Sequence, residues 1–305
     1  MRALRVGLVC VCLACGSGSS RFGNDAGGGG DGGSAPFADG GPKFDDSGVP
    51  AGDGGDGCSD ASKLVYVIST DNVLRSFDPA TLAFSTIGTV NCNTAASVNS
   101  MAVSRDATAY VNMSDGTLWQ VSTTNAACAP TGYQTEQFDR RIRGMGFPSD
   151  TPQGTSETLY TCTANDQTFT GGGLATISVP GFQLTPVGDY TSGLAGEECE
   201  LTGTGNADLF GFFATDSPPK LAQITKTSGA TPSPITLTGV DTTLSYAFSF
   251  WGGDFWFYTQ GDGVGSTVTH YKYATDKSFV TAIDDTGFTI VGAGVSTCAP
   301  LTPPN

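Results

Sequence analysis

Five stretches of this chain align with one another without gaps, and that repeat constrains the fold more than any other feature of the sequence. They are residues 74–81 (LRSFDPAT), 118–125 (LWQVSTTN), 174–181 (LATISVPG), 221–228 (LAQITKTS) and 270–277 (HYKYATDK). Each reads as a strand running into a turn, with an apolar or aromatic residue at its fourth position. Asp78-Pro79 presets a turn through the fixed φ of proline, and Asp71-Asn72 and Asp115-Gly116 fit two-residue hairpins because they tolerate positive φ.

The spacing averages about 49 residues, in the range of propeller blades, where a single repeat cannot bury its own faces and must stack on neighbours. A β-rich stretch precedes each segment (64–69, 109–113, 158–163, 209–214, 255–259) and another follows it (83–90, 128–132, 182–187, 233–240, 287–291). Four further stretches, 100–104, 144–147, 201–204 and 247–251, supply innermost strands. The expected fold is therefore all-β: a β-propeller of about five four-stranded blades, the first lacking its innermost strand. Residues near 295–301 are placed to complete or cap that blade, which leaves ring closure open.

Nine cysteines divide into Cys10, Cys12 and Cys15 near the N-terminus and Cys58, Cys92, Cys128, Cys162, Cys199 and Cys298 in the body. An even number of body thiols, widely spaced and without C-x-x-C pairs, favours disulfides over a zinc site, and one histidine cannot build a His-rich metal centre. No metal and no cofactor is expected. Fifteen pairings are formally open to six thiols. Cys58 and Cys298 flank the repeats and would staple the ring, while proximity of neighbouring blades favours Cys92 with Cys128 and Cys162 with Cys199.

The chain carries 29 acidic and 14 basic residues, a formal charge of −15, and losing Arg2 and Arg5 with a signal would leave −17. A surface this acidic repels phosphate backbones and anionic lipid headgroups, so nucleic acid is excluded as a partner and membrane attachment needs a lipid. Gly, Ser and Thr are abundant, as suits short strands joined by tight turns.

Residues 1–14 form a short signal peptide: Arg2 and Arg5, an apolar run from Val6 to Leu13, then Ala14 before Cys15. Leu13-Ala14-Cys15 resembles the bacterial lipobox, although Cys12 stands where Leu is usual. That resemblance implies lipidation of Cys15 and, because Gly16 is not Asp, an outer-membrane address; ordinary cleavage and secretion is the alternative. Residues 15–57 are Gly- and Asp-rich, with Phe22, Phe37, Phe44 and Val49 as their sizeable apolar groups, and read as a disordered tether spanning roughly 35 Å. Residues 58–305 are the folded domain. With signal, Gly-rich linker and degenerate blades such as NVLRSFDPAT, the chain resembles propeller-repeat lipoproteins of Gram-negative bacteria, which implies architecture but carries over no catalytic residues.

Chemistry is sparse. Arg143 and Glu200 each immediately precede an innermost strand, which puts them near the axis, where with Asp139, Arg140, Glu197 and Glu198 they can form a polar mouth. The run 246–258 (YAFSFWGGDFWFY) reads mainly as core, with Trp119 and Trp256 the more exposed aromatic candidates for stacking a ligand. His270 reads as a strand residue and not a catalytic base. No serine-hydrolase elbow, phosphate-binding loop or dinucleotide fingerprint is present. The expected role is a non-enzymatic, surface-tethered module that binds an envelope protein or polysaccharide. The alternative is a glycan-acting hydrolase or lectin, which as a hydrolase would need two close carboxylates in an open channel, one with a raised pKa.

Overall fold

The computed structural model describes residues 57–165, 171–215, 217–242, 244–261 and 263–303. The expected signal peptide, Cys15 and the expected tether before Gly57 lie outside the described residues. Twenty strands make five antiparallel four-stranded sheets arranged as a five-bladed β-propeller.

In chain order, β1 (Val65–Ser69), β2 (Val73–Asp78) and β3 (Ala83–Thr89) begin blade 1. Blade 2 is β4 (Val98–Val103), β5 (Thr108–Met113), β6 (Leu118–Ser122) and β7 (Cys128–Pro130). Blade 3 is β8 (Arg140–Gly146), β9 (Leu159–Asn165), β10 (Gly171–Ile177) and β11 (Leu184–Gly188). Blade 4 is β12 (Glu200–Gly203), β13 (Leu209–Phe213), β14 (Lys220–Gln223) and β15 (Ile235–Thr236). Blade 5 is β16 (Ser245–Trp251), β17 (Asp254–Gln260), β18 (Thr267–Tyr271) and β19 (Phe279–Ile283). The last strand, β20 (Ile290–Val295), returns to pair antiparallel with β1, Val65 opposite Val295. It is the innermost strand missing from blade 1, so the chain ends close the ring.

Several boundaries differ from the sequence expectation: β8 starts at Arg140 and not at 144, so Arg143 lies within that inner strand, and blades 5 and 1 differ as follows. The outer strand of blade 5 is β19, not the stretch 287–291, whose second half starts the closing strand. The closing strand itself begins earlier than 295; residues beyond it cap the end, where the Ser296 hydroxyl donates to the Ser62 carbonyl at 2.6 Å and Gly252 N–H to the Pro300 carbonyl at 2.7 Å. The weak signal has a physical cause: outer strands face water, and β19 has no fully buried residue to mark it.

The repeat positions explain the packing. Each blade is covered on both faces, so the first and fourth residues of a repeat, which point to opposite sides of a strand, must both be apolar. Leu74 and Phe77 are fully buried in two different layers, one shared with blade 2 and one with blade 5. Leu118 and Val121, Leu174 and Ile177, and Leu221 and Ile224 divide in the same way among the five hydrophobic layers. In blade 5 the residues that do so are Val268 and Tyr271. The gapless alignment is therefore two residues out in the fifth copy, and His270 occupies the place held by Ser76, Gln120, Thr176 and Gln223 elsewhere.

All three expected disulfides are present. Cys58 joins Cys298 across 240 residues, Cys92 joins Cys128, and Cys162 joins Cys199, with Cα–Cα separations of 5.6, 5.2 and 5.7 Å. The second ties the β3–β4 connection to β7 of blade 2, the third ties β9 of blade 3 to the residue before β12 of blade 4, and the first holds the two ends of the described domain at the closed blade.

The innermost strands lie close together, and glycine makes this possible. A Cβ on Gly144 would run into the backbone of Cys199 and Glu200, and one on Gly203 into the backbone of Phe147 and Pro148. Backbone cannot swing aside as a side chain can, so Gly144→Ala is expected to destabilise the domain by about 1–3 kcal/mol, the usual range for overpacking. Thermal unfolding checks this; an unchanged midpoint would mean that the blades tolerate a wider ring.

Candidate functional site

At one end of the ring the starts of the innermost strands surround a solvent-open cavity of about 200 Å³ lined by Asn99, Arg143, Glu198, Glu200, Ser245 and Tyr246, among others. Strand β12 begins at Glu200, so its side chain is set at the axis by the first inter-strand pairing, Glu200 opposite Phe212. Arg143 sits in β8 on the adjoining blade. Both residues line the mouth, but from within the inner strands and not from before them: Arg143 is the fourth residue of β8 and Glu200 the first of β12.

Glu200 is only 7% exposed. Burial pushes its carboxyl up to about 8, and the neighbouring charge of Glu198 adds to that, while the hydroxyl of Ser100 and the Arg143 guanidinium pull the other way. Ser100 donates to Glu200 Oε2 at 2.7 Å. At neutral pH Glu200 is therefore mainly a neutral acid able to donate a hydrogen bond. Glu198 instead lies 3.4 Å from Arg143 Nε, an ion pair with both side chains 23% exposed. The pair lacks hydrogen-bonding alignment, and Arg143 Nε is a buried donor without a hydrogen-bond acceptor among the described residues.

The backbone under Arg143 is fixed from blade 2. Asn112, fully buried, donates from Nδ2 to the Ile142 carbonyl at 2.9 Å and the Arg143 carbonyl at 3.2 Å, and its Oδ1 accepts from Ser100 N–H at 2.7 Å. One amide thereby sets the spacing between the strands that carry Ser100 and Arg143. Tyr246, from blade 5, completes the wall; burial raises its phenol.

The other sequence candidates are dispersed. Arg140 donates to Thr163 at 3.1 Å, Glu197 is bonded to Thr215, and Asp139 lies in a short 3₁₀ turn before β8. Trp119 is half-buried on β6, its indole N–H donating to Thr117 at 3.0 Å, far along blade 2 from the inner strand. Trp256 is not exposed as expected but only 5% accessible, stacked on His270 between blades 5 and 1. The remainder of the aromatic run is core, with Phe248, Phe250, Trp251, Phe255, Phe257 and Tyr258 all buried. Sequence reasoning missed Asn99, Ser100, Ser245 and Tyr246, although Ser100 opens one of the inner strands it had marked.

At the opposite end Glu157 is also raised by burial, to about 7. It accepts from Arg105 N–H at 2.6 Å and from the Thr297 hydroxyl at 2.9 Å, tying the 148–158 loop to blade 2 and to the C-terminal cap.

No protein-family model and no curated protein matches the chain. Solved structures similar to it include a protein of unknown function from Bacteroides caccae, at 9% identity over 76% of this chain and 97% of that one, with a TM-score of 0.43. A structural-genomics protein of unknown function from Bacteroides thetaiotaomicron VPI-5482 is 13% identical over 73% of this chain and 56% of its own, with a TM-score of 0.47. The Dos1 propeller is 12% identical over 72% and 67%, with a TM-score of 0.37.

Proposed function

We propose that the protein is a binding module of the cell envelope, tethered by a lipid on Cys15, whose channel mouth holds a neutral polyhydroxylated group such as a terminal sugar. The observation that carries the reading is the buried, acceptor-less Nε–H of Arg143 beside a Glu200 that is mainly protonated. With Glu200 neutral and Glu198 offset by Arg143, the mouth has no net charge but is dense in donors and acceptors, which suits hydroxyl groups better than an anion or a metal cation. A cavity of about 200 Å³ is below the usual range for drug-sized ligands and fits a single ring or a chain end.

Hydrolysis is the second reading, because an acid of raised pKa and a second carboxylate line the same cavity. Binding is preferred: Glu198 is engaged by Arg143, and both acids come from one short stretch of chain instead of flanking a substrate bond.

Calorimetric titration of the mature chain with glucose, N-acetylglucosamine and its disaccharide is expected to give saturable binding that Arg143→Met weakens at least tenfold. Circular dichroism should show the variant folded. Absence of saturable heat with every sugar would overturn the reading, and release of new reducing ends from the disaccharide would move it to hydrolysis. For the anchor, metabolic labelling with an alkynyl fatty acid should mark the wild type and not Cys15→Ser; an unlabelled wild type in the medium would overturn the tether.

A further inference from the structure

A second cavity lies away from the mouth, between blade 5 and blade 1. It measures about 520 Å³, within the range of small-molecule sites, and is lined by Ala80, Leu82, Trp251, Trp256, His270 and Val280, among others. Elsewhere this layer is closed by large side chains such as Phe77 and Tyr258, which are fully buried. Here two aliphatic residues face water instead: Leu82 on the blade 1 hairpin is 39% exposed and Val280 on β19 is 41% exposed. Leu82 also has φ +57°, a left-handed backbone unfavourable for a branched side chain. The turn before it is fixed by Asp78, which accepts from Ala80 N–H at 3.0 Å and from the Thr81 hydroxyl at 2.9 Å.

The polar element of this groove is the chain's one histidine. Across the sheet Trp256 pairs with His270, and the two rings stack at 4.1 Å with an interplanar angle of 3°. His270 Nε2 lies 2.8 Å from Asp254 Oδ2, whose other oxygen accepts from Ala274 N–H at 2.9 Å. In a neutral imidazole this makes Nε2 the proton-bearing nitrogen and leaves Nδ1 as an acceptor. Matching positions in the other blades hold Tyr66 with Ser76, Tyr110 with Gln120, Tyr160 with Thr176 and Phe210 with Gln223, so the aromatic–polar pair is common and the oriented imidazole is particular to blade 5.

We propose that this groove binds a small planar ring bearing one O–H or N–H donor, of the phenol or indole class. The ring lies between Leu82 and Val280 against the edge of the Trp256–His270 stack, so that its donor meets Nδ1 in the plane of the imidazole. Aliphatic walls select the ring, and the fixed tautomer selects the donor.

Because the histidine is unique, its ring resonances report the site without assignment of the rest of the chain. Titration of the isotopically labelled mature chain with p-cresol, at a pH alkaline enough to keep the imidazole neutral, is expected to shift the His270 ring signals saturably, with a pyridine-type Nδ1 and a pyrrole-type Nε2 before ligand is added. Toluene, which lacks the donor, should bind at least tenfold more weakly. Leu82→Asn, which keeps a residue suited to positive φ but removes the apolar wall, should weaken p-cresol at least fivefold without altering the fold. Absence of a saturable shift with p-cresol would overturn the site. Equal binding of toluene, or the opposite tautomer, would overturn the role of Nδ1.

Discussion

Replacing Cys58 and Cys298 together by serine is expected to lower the thermal midpoint by about 10–15 °C, more than any other disulfide removal in this chain. The bond closes a loop across 240 residues. On the chain-entropy account such a loop is worth about 5 kcal/mol, against about 4 kcal/mol for the shorter loops, both upper values. For a domain of this size a kcal/mol moves the midpoint by roughly 2–4 °C. The bond also holds the two ends whose pairing, β1 with β20, makes the ring continuous. Thermal unfolding of the double variant beside the matching Cys92/Cys128 variant checks this; a smaller loss for Cys58/Cys298 would mean that closure rests on the strand pairing alone.

Stability should fall as pH rises through the neutral range, and Glu200→Gln should remove most of that fall. An acid whose carboxyl is raised in the folded state binds its proton more tightly there than in the unfolded chain. Its stabilising contribution is therefore complete below about 4.5, the ordinary glutamate value, and is lost as pH climbs through the folded value of about 8. At 1.36 kcal/mol per pH unit the loss from Glu200 is on the order of 5 kcal/mol, reduced by whatever the cavity rearranges. Glu157 adds a smaller loss of the same sign, centred near 7. Glutamine keeps the carbonyl that accepts from Ser100 but cannot ionise. Midpoints measured from pH 5 to 9 should decline steeply for the wild type and weakly for the variant. Parallel profiles would show that Glu200 is ionised without penalty and that the mouth is wetter than its burial implies.

Much of this was legible in the sequence because the ring repeats one packing problem five times. A strand covered on both faces demands apolar residues three apart, and Leu74 with Phe77 or Leu118 with Val121 state that demand plainly. The body cysteines could be paired because chain order in a propeller is also spatial order. The same logic misread blade 5, where an imidazole and two tyrosines mimicked the pattern two residues late and β19 is solvated.

The mouth was half legible. Glu200 opens β12 and Arg143 lies in β8, both inner strands, so topology alone took them to the axis. Their partners did not announce themselves: Ser100, Asn112 and Tyr246 are ordinary strand residues whose importance arises from inter-blade distances. Trp256 misled for the opposite reason, since a large aromatic in a blade is needed to fill the layer before it is free to meet a ligand.

At neutral pH the channel mouth is expected to present Glu200 as a protonated acid beside the Arg143–Glu198 pair. Carbon-13 NMR of side-chain carboxyls, followed from pH 4 to 10 in the wild type and in Glu200→Gln, tests it most directly. One glutamate carboxyl is expected to titrate near 8 and to vanish in the variant, with Glu157 the next highest near 7. A wild-type protein in which every carboxyl has finished titrating below pH 6 would contradict it.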